Sequence, residues 1–301
     1  MITPQTQYPE LGREIGISDL WLKREDLHPY KSHKGRSLPH MIDTAIKSGS
    51  TEFAISSSGN AALAAALYLE KISLERKQNS DSSSNNPLHL EVFVGLKIPQ
   101  EKLARITEIK ERNPGLITIT HTERPLQAMF QRTENAPHIH SLRQSTDDTA
   151  LIGYQSLCTE LEQIPNLAHI FVPTSSGTVA QALADFFSTK KVAVHIVQTS
   201  SCHPIAQHFF EYPQTDEVSL ADAIVDKTAY RKDTIIKALT KSGGTGIIVN
   251  NEKISGAQAL MHTYANIDVS PNGALGVAGL MEATYTDFNP QGAVVCLVCG
   301  L

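Results

Sequence analysis

Ser32-His33-Lys34-Gly35-Arg36 places a lysine directly behind a serine and a histidine, and the chain beyond it, from Ser37, reads as a helix. Lysine is the side chain that condenses with carbonyl compounds once its amine is held without a proton. Two other stretches share a second chemistry. Ser56-Ser57-Ser58-Gly59-Asn60 closes the apolar run EFAIS and opens the alanine-rich run NAALAAALYLEK. Thr174-Ser175-Ser176-Gly177-Thr178 joins HIFVP to TVAQALADFFSTK. Backbone N–H groups left over at a helix start attract anions, and hydroxyls add donors. The same residues cap ordinary helices, but three serines, a glycine and an asparagine together exceed what one cap requires. The second stretch is not a Walker loop, because no Gly-Lys-Ser/Thr follows. It is not a dinucleotide fingerprint either, because it holds one glycine. One lysine with two anion-binding junctions and no metal cluster describes a site for a phosphorylated aldehyde and an amino-acid carboxylate.

The elements that must position these residues alternate along the chain. DLWLK reads as a strand, Ser37 to Ser48 as a helix, EFAIS as a strand and NAALAAALYLEK as a helix. EVFVGL, PQEKLARITEIKERN and LITIT continue as strand, helix, strand. After Thr149 a second series runs from the helix GYQSLCTELEQI through HIFVP, TVAQALADFFSTK, VAVHIVQT, GIIVNN and SGAQALMHTYAN to the last strand, AVVCLVCG. Strand and helix in repetition predict an α/β fold with mostly parallel, doubly wound sheets. The runs VAVHIV and AVVCLV suit strands buried on both faces. Between helix and strand, the Ser/Asn/Asp-rich stretch at about 75–88 is expected to be a mobile loop. Lys23 and Lys31 lie on segments that read as exposed.

The 301 residues suffice for two modest domains. A net charge of −5 with no basic block argues against nucleic acid as a partner. No apolar run is long enough to span a bilayer, and MITPQTQYPE is not a signal peptide. The four cysteines suggest no disulfide framework, so a cytoplasmic location is expected. Cys296 and Cys299 form a CxxC on a strand, where positions three apart face opposite ways, so two buried apolar residues are expected rather than a redox or zinc pair. Gly273, Gly276 and Gly279 are expected to permit close helix packing or to flank the site. Asp147 and Asp148 are expected to cap a helix.

With these stretches in order, the chain resembles the fold-type II pyridoxal-phosphate enzymes, the group of tryptophan synthase β, threonine synthase, serine/threonine dehydratases and cysteine synthase. LKREDLHPYKSHKGR resembles the lysine segment of that group, SSSGNAALAAA its asparagine loop, PTSSGTVAQAL its phosphate loop, and VVCLVCG its final strand. The resemblance implies pyridoxal 5'-phosphate in a cleft between two domains, the larger built from 1–36 and 146–301 and the smaller from 37–145. It implies that Lys34 carries the cofactor covalently and later moves protons. Asn60 would bond the ring hydroxyl oxygen, and Ser57, Ser58 and Gly59 would receive the substrate carboxylate. Thr174, Ser175, Ser176, Gly177 and Thr178 would cradle the phosphate, and Cys299 would face the ring nitrogen.

The implied chemistry is elimination or replacement at the β or γ carbon of a small amino acid, in the manner of threonine synthase or a serine/threonine dehydratase, with a homodimer as the assembly. Three positions depart from the family pattern. Lys31 stands where relatives have glycine, Gly35 where many have Asp or Asn, and the phosphate loop has one glycine where relatives have three or four. These departures keep open a catalytically weak or inactive cofactor-binding carrier or regulatory protein. A serine hydrolase, suggested by Ser-Ser-Ser-Gly plus a lysine, lacks the doubled glycines that chemistry uses.

Overall fold

A computed structural model describes residues 2–78, 86–213, 215–286 and 288–300, and of Lys102 the backbone alone. The chain divides into two compact units. One runs to His28 and resumes at Tyr154; the other is Pro29–Gly153. The first carries β1 (Gln5–Gln7), α1 (Pro9–Ile15) and β2 (Leu20–Arg24). The contiguous unit follows with α2 (Lys34–Lys47), β3 (Glu52–Ser56), α3 (Asn60–Gln78), β4 (His89–Gly95), α4 (Gln100–Arg112), β5 (Ile117–Thr122), α5 (Pro125–Asn135), β6 (Ile139–Ser141) and α6 (Thr149–Gly153). The chain then returns to the first unit with α7 (Gln155–Leu161), β7 (Leu167–Pro173), α8 (Thr178–Phe187), β8 (Ala193–Thr199), α9 (Lys232–Ser242), β9 (Gly246–Val249), α10 (Asn251–Ala265), α11 (Pro271–Thr284) and β10 (Ala293–Val298).

The sheet of the first unit has the order β1-β2-β10-β7-β8-β9, parallel throughout except for the antiparallel β1 at its edge. β8 and β10 are buried at every position, as their unbroken apolar runs require of strands covered on both faces. One face packs residues of α1, α10 and α11 against Leu20, Leu22, Val197, Cys296 and Val298. Glycine lets α11 lie close: a Cβ on Gly279 would stand 2.2 Å from Val197 Cγ2, and one on Gly276 2.9 Å from the Leu297 carbonyl oxygen. The opposite face is covered by α8 and α9 on β8, with α7 against α8.

The contiguous unit has a four-stranded parallel sheet, β5-β4-β3-β6. Phe53, Ile55, Leu90, Val92 and Val94 meet α2, α3 and α4 on one face. Ala54 and Phe93 alternate to the other face, against Met129 of α5. Both units are therefore wound on both faces of a largely parallel sheet.

Several expectations change. Lys23 is fully buried rather than exposed. Its ammonium donates to the Thr3 carbonyl and to Gln5 Oε1, each at 3.0 Å, and pairs with Glu160 Oε2 at 2.5 Å. A buried ammonium is tolerated because all three of its donors are met and a carboxylate faces it. The expected helix over residues 153–164 is shorter, Gln155–Leu161, and a separate helix, Thr149–Gly153, precedes it across a turn at Tyr154. α3 extends to Gln78, into the expected loop at 75–88, because LERKQ continues with good helix formers; residues 79–85 lie outside the described residues. The expected domain boundaries at 36/37 and 145/146 fall inside the contiguous unit. α2 starts at Lys34 and packs as one piece against α3 and α6, which places the lysine with the Ser57–Asn60 loop.

Candidate functional site

Lys34 is the first residue of α2 and is half-buried. Its N–H donates to Ser32 Oγ at 3.3 Å, while Gly35 N–H reaches the Ser32 carbonyl and Arg36 N–H that of His33, both at 3.0 Å. Ser32 and Ser37 on either side are completely buried, and His33 nearly so. Lys31 lies exposed in the left-handed region, φ 65°. Glycine adopts that conformation freely, so the lysine at this position costs backbone strain without entering the core. Upstream, Tyr30 stacks edge-on with Tyr68, whose hydroxyl donates to Asp43 Oδ1 at 2.6 Å. Burial raises the pKa of both phenols, and the Asp43 carboxylate raises that of Tyr68 further.

The residues Ser57, Ser58 and Gly59 connect β3 to α3, and Asn60 is the first residue of that helix. All four are half-buried. Gly59 N–H donates to Ser57 Oγ at 3.2 Å, and nothing lies within 4 Å of where a Gly59 Cβ would stand.

Thr174 to Gly177 make the corresponding connection from β7 to α8. Thr174 is buried, with its N–H on the Val197 carbonyl and its hydroxyl on the Val172 carbonyl, each at 2.9 Å. Ser175 Oγ accepts the N–H groups of Val225 and Asp226 at 3.1 and 3.2 Å. The Ser176 and Thr178 hydroxyls are 3.3 Å apart. Gly177 has φ 89°, and a Cβ there would come within 2.0 Å of Ile235 Cδ1. The glycine is thus required by the backbone and by α9, whatever else approaches the loop.

Sequence reasoning missed Gln198, the residue behind this loop. It is fully buried, donates to the Thr174 carbonyl at 3.2 Å, and accepts the N–H groups of Ile205 and Ala206 at 2.9 and 2.8 Å. Its amide ties β8 to the loop and to the segment after it, a role with no local sequence signal.

Topology gives both junctions the same address. In the first unit the strands run outward in order from β7 to β8 to β9, and β10 returns to the other side of β7. In the contiguous unit they run from β3 to β4 to β5, and β6 returns to the other side of β3. Such reversals leave a crevice at the carboxyl ends of the parallel strands, where ligands of open α/β sheets bind. β7 enters Thr174 at one reversal and β3 enters Ser57 at the other. Cys296 lies opposite Phe171 in the β10–β7 register, so β10 runs into Cys299 beside the departure of β7 into Thr174. Cys299 is buried, and the following Gly300 carbonyl accepts the hydroxyl of Ser270, the cap of α11, at 3.0 Å. Cys296 is fully buried, and burial pushes its thiol pKa up. Among the described residues no three His, Cys, Asp or Glu side chains gather as a metal site, and no helix is long and apolar enough to cross a membrane.

The model for the pyridoxal-phosphate dependent enzyme family matches residues 2–300. The chain belongs to that family. Threonine synthase of Methanosarcina acetivorans is 23% identical to this enzyme over 99% of the present chain and 74% of its own. Threonine synthase of Methanocaldococcus jannaschii is 22% identical with the same coverage. Among solved structures, a pyridoxal 5'-phosphate-dependent aspartate racemase superposes with a TM-score of 0.81 at 20% identity, covering 100% of this chain and 90% of that one. Threonine deaminase isoform 2 of Solanum lycopersicum gives 0.77 at 17% identity, covering 99% and 83%. The family match establishes an enzyme dependent on pyridoxal phosphate, and the structural likenesses establish its fold-type II architecture. Each unit by itself carries groups whose chemistry suits part of that cofactor: the contiguous unit has a half-buried primary amine at Lys34, and the first unit has hydroxyls and helix-start N–H groups on the loop before α8. At the end of β10, Cys299 places a buried thiol.

Proposed function

We propose that this enzyme is a lyase that eliminates or replaces a group at the β or γ carbon of a small amino acid, like threonine synthase or a serine/threonine dehydratase. The observation that carries the reading is the pair of hydroxyl-rich junctions, each at the carboxyl-end reversal of its own sheet. Bound pyridoxal phosphate supplies the electron sink for a carbanion at the substrate's α carbon. Lys34 would hold the cofactor through its amine and would serve as the general base for the α proton of the substrate. Ser57, Ser58 and Gly59 receive the substrate carboxylate, and Asn60 holds the ring hydroxyl oxygen. Thr174 to Thr178 hold the phosphate; Ser175, whose oxygen already accepts two N–H groups, retains its proton to donate. Cys299 would stand against the ring nitrogen. Neither junction carries a carboxylate or imidazole, so nothing there activates a second nucleophile. This restricts the reaction to leaving groups that depart readily or carry a phosphate, such as those of serine, threonine and O-phosphohomoserine.

The test loads the full chain with cofactor and incubates it with each of these amino acids, assaying 2-oxo acid, ammonia, threonine and phosphate. Turnover of one of them, abolished in Lys34→Ala together with the cofactor's visible absorbance, is the expected result. A spectral response to amino acids without product would favour a carrier, and racemised substrate without ammonia would move the enzyme out of the lyases. Borohydride reduction and peptide mapping should place the cofactor on Lys34; a label on Lys23 or Lys31 would overturn the lysine assignment.

A further inference from the structure

The turn that carries Lys34 contains residues that its own helix does not favour. Gly35 follows the lysine and loses more backbone freedom on ordering than any other residue would. Pro39, inside α2, offers no N–H to the Gly35 carbonyl and crowds it with its ring. The N-cap, His33, makes no side-chain capping bond.

Support comes instead from the far end of the same unit. The Ser37 hydroxyl donates to the Lys34 carbonyl at 3.4 Å and accepts a short hydrogen bond from Gln144 Nε2. Gln144 is 7% exposed and lies just beyond β6, the strand that creates the reversal beside β3. α6 presses on the same turn, since a Cβ on Gly153 would stand 2.5 Å from Ser37 Cα and 2.8 Å from the Arg36 carbonyl oxygen. A serine hydroxyl has one proton and two lone pairs, and left to itself it can point either way. An amide N–H can only donate. By occupying a lone pair of Ser37 it directs the hydroxyl proton toward the Lys34 carbonyl.

We propose that Gln144, acting through Ser37, is a positioning residue that fixes the turn from which the Lys34 amine extends. The proposal rests on Lys34 being the residue that holds the cofactor. It makes a polarity prediction that a space-filling role would not. Gln144→Glu keeps the shape but presents acceptors, so it draws the Ser37 proton away from Lys34. Gln144→Leu removes the contact, and Ser37→Ala removes its target.

The experiment uses the full chain loaded with pyridoxal phosphate. It records the pH midpoint of the cofactor's absorbance, the kcat and KM for whichever amino acid reacts, and the thermal midpoint. Ser37→Ala and Gln144→Glu are expected to move the absorbance midpoint and to lower kcat by about three- to tenfold, with KM within about twofold. The double variant Ser37→Ala/Gln144→Leu should be no worse than the more affected single, as for two members of one chain of contacts. A lowered thermal midpoint with wild-type absorbance midpoint and kcat would reduce the contact to a structural brace and overturn the proposal. Additive effects in the double variant would overturn it too. Ser37→Ala, which removes a single oxygen, decides the matter where a Gln144 variant fails to fold. Lys34→Ala separates the two levels. If it retains the wild-type spectrum, the lysine assignment falls and this inference with it. If it loses the spectrum while the Ser37 and Gln144 variants stay at wild-type values, this inference alone falls.

Discussion

Ser-Ser-Ser-Gly-Asn at the end of β3 and Thr-Ser-Ser-Gly-Thr after β7 are similar five-residue runs in the same topological position, yet they are built differently. The loop before α8 is fixed from behind. Its threonine is bonded internally, its first serine is occupied by the 225–226 backbone, Gln198 holds its carbonyl, and its glycine is locked at φ 89° beneath Ile235. In the loop before α3 the glycine has an ordinary φ and open space around it, and its N–H donates to Ser57 Oγ within the loop itself. Composition alone does not distinguish a preshaped cradle from an adaptable one. A group that stays through many turnovers is served by the first, and a substrate that must enter and leave by the second.

The largest expected difference is between the two glycines. Gly177→Val combines a strained φ with a side chain driven into Ile235 and should cost about 2–4 kcal/mol of stability. Gly59→Ala should cost no more than about 1 kcal/mol, because no contact is displaced. Denaturant unfolding of both variants measures this. Equal losses would erase the distinction. Cofactor affinity must be compared at matched folded fractions, because the Gly177 variant is damaged even without a ligand.

Acid should act next, and on the rigid side. His195 on β8 stacks on Phe171 and lies 3.0 Å from His169 Nδ1. Burial, with His169 second, holds its pKa down to about 3. Its folded value lies below the unfolded value of about 6.5, so the unfolded chain takes up the proton first. Stability is therefore full above about pH 6.5 and declines as the pH falls toward 3. Hydrogen-exchange protection factors in β7 and β8, which allow for the intrinsic slowing of exchange in acid, should fall between pH 7 and 5, and His195→Leu should flatten that dependence. An unchanged slope in the variant would assign it to other groups.

The smallest contrast concerns single hydroxyls. Ser175→Ala strands two loop N–H groups and should cost about 1–3 kcal/mol, with faster exchange at Val225 and Asp226. Ser58→Ala should stay within about 0.5 kcal/mol and reveal itself only in substrate binding. A stability loss in Ser58→Ala equal to that in Ser175→Ala would show the loop before α3 to be as constrained as its counterpart.

What could be read in advance follows from what is local. β8 and β10 announce themselves as unbroken apolar runs, and both hydroxyl-rich junctions sit where strand gives way to helix, so their positions were legible. β1 was not, because Gln-Thr-Gln has no strand pattern; it lies at the sheet edge, antiparallel to β2, with Gln5 on Lys23 and on the Glu160 carbonyl. Lys23 itself looks solvated among Lys-Arg-Glu-Asp, and only a partner 137 residues away allows its burial. Gln144 and Gln198 were invisible for the same reason. Each is an isolated amide whose value depends on which carbonyl or hydroxyl the fold brings to it. Periodicity does not show the turn at Tyr154 between α6 and α7 either.

The split of the first unit into two stretches of sequence has a consequence for synthesis. β2, at Leu20–Arg24, finds its parallel neighbour only in Ala293–Val298, the last strand of the sheet. A chain leaving the ribosome carries β2 with only the short β1 beside it until β10 is made, while the contiguous unit, whose sheet joins β3, β4, β5 and β6, is free to close first. Lys23 remains hydrated until Glu160 has been made. Closing so long a loop is entropically slow, and the exposed Leu20 and Leu22 make that interval the one in which a nascent chain most needs a chaperone.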